Sequence, residues 1–99
     1  MDHLVGQGMQ TKAEFDAHLN KAFDVELDGG KLSVVLSEVS GLRHGERDGG
    51  AFTLVFEAPE DVHLDQGTYK MHSEGTEVEL FLVPIGPFGK GMGFEAVFT

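Results

Sequence analysis

From Ala22 onward the apolar residues of this chain fall at every second position. Phe23, Val25 and Leu27 alternate with Asp24 and Glu26, and Leu32, Val34 and Leu36 alternate with Ser33, Val35 and Ser37. Side chains on a β-strand point alternately to opposite faces, so a period of two predicts strands with one buried face. Asp28-Gly29-Gly30 between the two runs predicts a hairpin turn. Phe52, Leu54 and Phe56 supply a third inward set. A fourth strand is expected over 67–73, with Tyr69 and Met71 on one face, and Glu74-Gly75 turns it into a fifth over 77–83. Phe94, Ala96 and Phe98 alternate in a last strand over 93–99.

Glycine and charge punctuate these runs. Residues 41–50 read as a polar, glycine-rich loop, and Pro59 with Glu57, Glu60 and Asp61 as another. Residues 84–93, with two prolines and four glycines, are expected to be a third. Before Ala22 the period changes. Thr11-Lys12-Ala13-Glu14 matches a capping box, and Phe15, His18 and Leu19 follow at helical spacing. A helix of about two turns is too short to stand alone and must dock Phe15 and Leu19 on something. It is expected to cover an open end or a sheet edge.

The fold class is therefore all-β with one short N-terminal helix: a small antiparallel six-stranded sandwich or barrel. Residues 1–10 read as a flexible arm and 11–99 as a single β-rich domain. The expected inward set comprises Phe23, Val25, Leu32, Val34, Leu36, Phe52, Leu54, Phe56, Tyr69, Val78, Leu80, Leu82, Phe94 and Phe98.

Composition narrows the partners. There are 17 acidic and 7 basic residues in 99, a formal charge of −10. Such a surface repels phosphate, which argues against nucleic acid and anionic membrane as partners. No cysteine is present, which excludes disulfides and thiolate metal sites. The N-terminus lacks a basic segment followed by a long apolar run, and no stretch reaches the roughly 20 apolar residues a membrane span requires. The expected location is the cytoplasm, or a larger assembly built from it.

Candidate chemistry is sparse. His3, His18, His44, His63 and His72 show no spacing that a metal site uses. Glu57, Glu60, Asp61 and Asp65 do not match a calcium-binding loop. No Gly-x-Ser-x-Gly elbow is present, and the glycines of 86–93 do not open a helix as a phosphate loop must. The expectation is a non-enzyme with no metal and no cofactor.

One feature departs from a one-sided sheet. Residues 80–84 are five consecutive apolar positions, so Phe81 and Val83 must face away from the core that takes Leu80 and Leu82. Val35, Val55 and Val97 are likewise apolar at outward positions, and the segment after Pro84 adds Ile85, Phe88 and Met92. Apolar residues at such positions are common at contact sites. Phe81, Val83, Ile85, Phe88 and Met92 are therefore the expected partner-binding residues, for a protein partner or for self-association. Cover by the chain's own helix and arm is the competing explanation. The expected function is a non-catalytic protein-interaction or assembly module, with a small ligand-binding barrel or enzyme as the alternative. A functional pocket of Gln66, Tyr69 and His72 is disfavoured, because Tyr69 and His72 have opposite parity on one strand.

Several segments resemble a family of small bacterial domains of unknown function. They are Phe52-Thr53-Leu54-Val55-Phe56, Leu64-Asp65-Gln66-Gly67-Thr68-Tyr69 with His72, Leu80-Phe81-Leu82-Val83-Pro84-Ile85-Gly86, and Phe94-Glu95-Ala96-Val97-Phe98. The first half is similar more loosely, through Phe15, Phe23 and the strand of Leu32 and Leu36. Phe94 stands where the family more often has tyrosine. The resemblance implies no activity and lends no catalytic residues. It implies a setting near fibre proteins of phage-tail-collar character. In the Gln-Gly-Thr-Tyr segment, Gly67 is expected to take a positive φ on entering its strand, with Tyr69 pointing inward and its hydroxyl near an edge.

Overall fold

The structure is a computed structural model that describes residues 11–41 and 51–98. The expected arm over 1–10, most of the loop over 41–50, His3 and His44 lie outside the described residues. Six strands follow one helix: α1 (Lys12–Asp16), β1 (Ala22–Leu27), β2 (Gly30–Gly41), β3 (Phe52–Ala58), β4 (Gly67–Ser73), β5 (Thr76–Phe88) and β6 (Gly91–Phe98). Every pairing is antiparallel, and the order β1-β2-β3-β6-β5-β4 closes on itself. Of the two expected architectures, the chain adopts the barrel.

Two long strands make the closure possible. β2, of 12 residues, pairs with β1 through residues 30–35 and with β3 through residues 35–41. β5, of 13 residues, pairs with β4 through residues 76–82 and with β6 through residues 83–88. Each strand thus leaves one layer and enters the other. The ladder shifts register between Leu36 and Glu38 in β2, and between Pro84 and Gly86 in β5. An extra residue on one strand bends it and lets it turn a corner between sheets. The last seam, β1 with β4, is short, with Asp24 opposite His72 and Val25 opposite Met71.

The interior is filled by side chains, as expected of so small a barrel. Phe23, Val25, Val34, Leu36, Leu54, Phe56, Met71 and Leu82 are buried there, and Phe23 meets Phe56 edge-on at 5.2 Å between ring centroids. Leu32, Tyr69 and Phe98 are partly buried against this core. At one end Phe15 packs on Phe52 and Phe98, with centroids 5.9 and 5.4 Å away, while Phe52 and Phe98 stack at 4.5 Å. Val62 and Leu64, from the segment joining β3 to β4, also pack against the core.

The capping box forms as read. Glu14 N–H donates to Thr11 Oγ1 at 3.2 Å, and Thr11 N–H donates to Glu14 Oε1 at 3.0 Å. The helix is nevertheless shorter than the pattern predicts. It ends at Asp16, and the chain turns through residues 17–20 before Asn20 N–H donates to Leu36 O at 2.7 Å. That turn swings Leu19 away from the sheet. Phe15 is wholly buried while Leu19 stays 39% exposed, so the docking face of the helix is Phe15 without Leu19.

A second correction concerns 84–93. The expected loop is a hairpin: β5 runs on to Phe88, Gly89 and Lys90 turn, and β6 begins at Gly91. Proline lacks the N–H that a central strand must donate, but it is tolerated where that side of the strand is unpaired. Beyond Leu82, β5 has β6 on one side and no β4 partner on the other, so Pro84 and Pro87 sit on an edge. β2 likewise extends to Gly41, further than the alternation up to Ser37 indicates, because the bulge restores inward parity at Val39.

Candidate functional site

The outer side of the layer formed by residues 35–41 of β2, β3, β6 and residues 83–88 of β5 mixes apolar and acidic side chains. Its register places Glu38 beside Val55, Val55 beside Glu95, and Glu95 beside Val83. The next row holds Ser40, Thr53 and Val97. Phe81, two residues before Val83 and of the same parity, stands opposite Thr68 of β4, where β5 leaves β4 for β6. Phe81 and Val97 are each 52% exposed, and Ile85 is 43% exposed.

The β5–β6 hairpin adds to this face through Gly93. A methyl group on Gly93 would stand 2.7 Å from the Cβ of Phe88 and 2.9 Å from Cγ1 of Ile85. Ile85 and Phe88 therefore lie across the bare backbone of Gly93, on the side that Glu95 and Val97 share. Four of the five expected contact residues, Phe81, Val83, Ile85 and Phe88, are brought onto one outer surface. Met92 is not. It shares parity with Phe94 and Ala96 and packs against the core. The prolines and glycines of 84–93 predict a loop, and without a strand no parity attaches to Met92. Glu95 was missed as part of the face, although its place between Phe94 and Ala96 makes it outward by the same rule.

The charge of this face is one-sided. Glu38, Glu57 and Glu95 occupy outward positions, and residues 35–41, β3, β5 and β6 contain no lysine or arginine. Glu57 is engaged by the hairpin tip, where Lys90 N–H donates to its Oε2 at 3.0 Å.

The polar candidates lie elsewhere and do not converge. Tyr69 packs against the core and donates its O–H to the carbonyl of Asp65 at 2.6 Å. His72, on the opposite face of β4, meets the Glu26 carboxylate through Nε2 and has Nδ1 3.9 Å from Glu77. The hydrogen bond from His72 holds the Glu26 carboxyl below its ordinary range, against a smaller opposing effect of desolvation. Gln66, Tyr69 and His72 thus form no common pocket. Gln66 and His63 instead line a recess of about 220 Å³ with Pro84, Met92 and Phe94. Gly67 has no positive φ, so conformational need does not explain it. His18 lies 3.9 Å from Glu74, which also pairs with Lys21 at 3.0 Å.

Among the described residues, no three of His, Asp or Glu approach closely enough to hold a metal ion, and no helix is long and apolar enough to cross a membrane. No curated protein and no solved structure matches this chain. One family model does, over residues 10–98, which takes in the helix and all six strands. The chain belongs to that family, described as a domain of unknown function, DUF6916.

Proposed function

We propose that this domain is a non-catalytic interaction or assembly module that docks a protein partner through the outer face of Phe81, Val83, Ile85 and Phe88. The observation that carries the reading is that Phe81, Ile85 and Val97 stand about half exposed at outward positions of β5 and β6. Aromatic side chains left in water on a small domain cost free energy that a contact recovers, and aromatics dominate the energetics of known interfaces. The filled interior supports this reading over a ligand-binding barrel, because the described residues pack the barrel with phenylalanine, leucine and valine, which leaves little room for a substrate. The resemblance to domains set near fibre proteins favours an accessory role in a fibre or phage-tail-like structure, with synthesis in the cytoplasm before incorporation.

The test is Phe81→Lys. With Phe81 half exposed, the variant folds with an unchanged melting temperature and loses assembly or partner capture, read by sedimentation and by pull-down from the native host. A variant that sediments and captures the same proteins as the unaltered chain overturns the reading.

A further inference from the structure

Resting on that docking reading, we infer that the partner is a polypeptide surface presenting lysine or arginine among apolar side chains, and that Glu95 is its charge anchor. Glu95 lies between Val55 and Val83 in the register, with Val97 next along its own strand. Neither Glu95 nor Glu38 has an ion-pair partner among the described residues. A carboxylate ringed by valines is poorly screened once a partner excludes water, so covering it with apolar groups alone is costly. A cation brought with the apolar surface removes that cost and selects the partner.

The other occupants of this face are disfavoured by the same residues. A second copy docked face to face about a two-fold axis would bring together two faces whose strand segments carry glutamates and no lysine or arginine, on chains of net charge −10. Addition of a strand to the free edge of β5 requires backbone donors at Pro84 and Pro87, which have none. Nucleic acid and anionic lipid are repelled by the same glutamates. What remains is a basic, apolar polypeptide lying on the face.

A displayed library of random short peptides, selected on the folded chain with Phe81→Lys protein as the counter-selector, tests this. The expected survivors carry Lys or Arg next to aromatic or branched aliphatic residues, and bind more weakly as salt is raised. Glu95→Gln weakens the best of them by about tenfold, and Glu95→Lys turns the selection toward acidic peptides. Survivors that depend on Phe81 but are neutral or acidic overturn the basic partner while leaving the docking face standing. Unaltered chain that dimerises in sedimentation, and ceases to do so in Phe81→Lys, overturns it in favour of a second copy. Survivors that do not depend on Phe81 overturn both the inference and the docking reading.

Discussion

The carboxylate of Glu57 is seated beneath the tip of the β5–β6 hairpin, accepting the backbone N–H of Lys90 at 3.0 Å. Its oxygens also occupy the space beside Gly89, where a Cβ would fall 2.8 Å from Oε1, and Gly89 has φ +59. The turn is thus held from below by a residue of β3, and it is the turn that keeps Ile85 and Phe88 over Gly93. Glu57→Ala is expected to destabilise the domain by about 1 kcal/mol, the worth of one such hydrogen bond. Urea unfolding measures the loss, and hydrogen exchange at the Lys90 amide should quicken more than exchange in the middle of β6.

Phe15 and Leu19 separate the helix seen in the sequence from the helix in the fold. Phe15→Ala removes a wholly buried ring from the cluster with Phe52 and Phe98 and should cost about 3–5 kcal/mol. Leu19→Ala, at an exposed turn, should stay within about 0.5 kcal/mol. Denaturant midpoints decide between them. Equal losses at the two positions would show that Leu19 packs in solution as the helical spacing alone suggests.

Gly93 is a steric position, not a conformational one. Its φ is not positive, yet a Cβ there would press on Phe88 and Ile85. Gly93→Ala is expected to cost about 1–3 kcal/mol by overpacking. In the Ile85→Ala background part of that cost should return, because one of the two obstructing side chains is gone. A double-mutant cycle measured by thermal unfolding reads the coupling.

Glu26 ties the short β1–β4 seam to His72, and its carboxyl is held below the ordinary value of 4.5 by that hydrogen bond. A carboxylate with a lowered folded-state pKa stabilises the fold above its unfolded pKa, and the contribution disappears as pH falls through the folded value. The unaltered chain should therefore exceed Glu26→Gln in stability above pH 4.5, with the gap closing at more acid pH. The effect is small and salt-sensitive, because the pair is exposed to solvent. Urea midpoints of the two proteins across that range, at low and high salt, check both statements.

Alternation by itself determined a great deal of this protein. It named the strand interiors, from Phe23 and Val25 to Phe94 and Phe98, because burying one face of a pleated strand demands a period of two. Thr11 and Glu14 marked the helix start, and Glu74-Gly75 marked a turn whose φ values of +50 and +83 suit a tight hairpin. The outward apolar character of Phe81 and Val83 was legible for the same reason. Parity along one strand says which residues share a face, but not which strands lie side by side or where an extra residue enters. Tertiary pairing decided that β2 and β5 each serve two neighbours, that bulges near Ser37 and Ile85 turn the corners, and that the prolines of β5 fall on an unpaired edge where a strand tolerates them. It also packed Met92 against the core and set Glu95 between Val55 and Val83. Those outcomes depend on contacts between segments far apart in the chain, and no local pattern of residues encodes them.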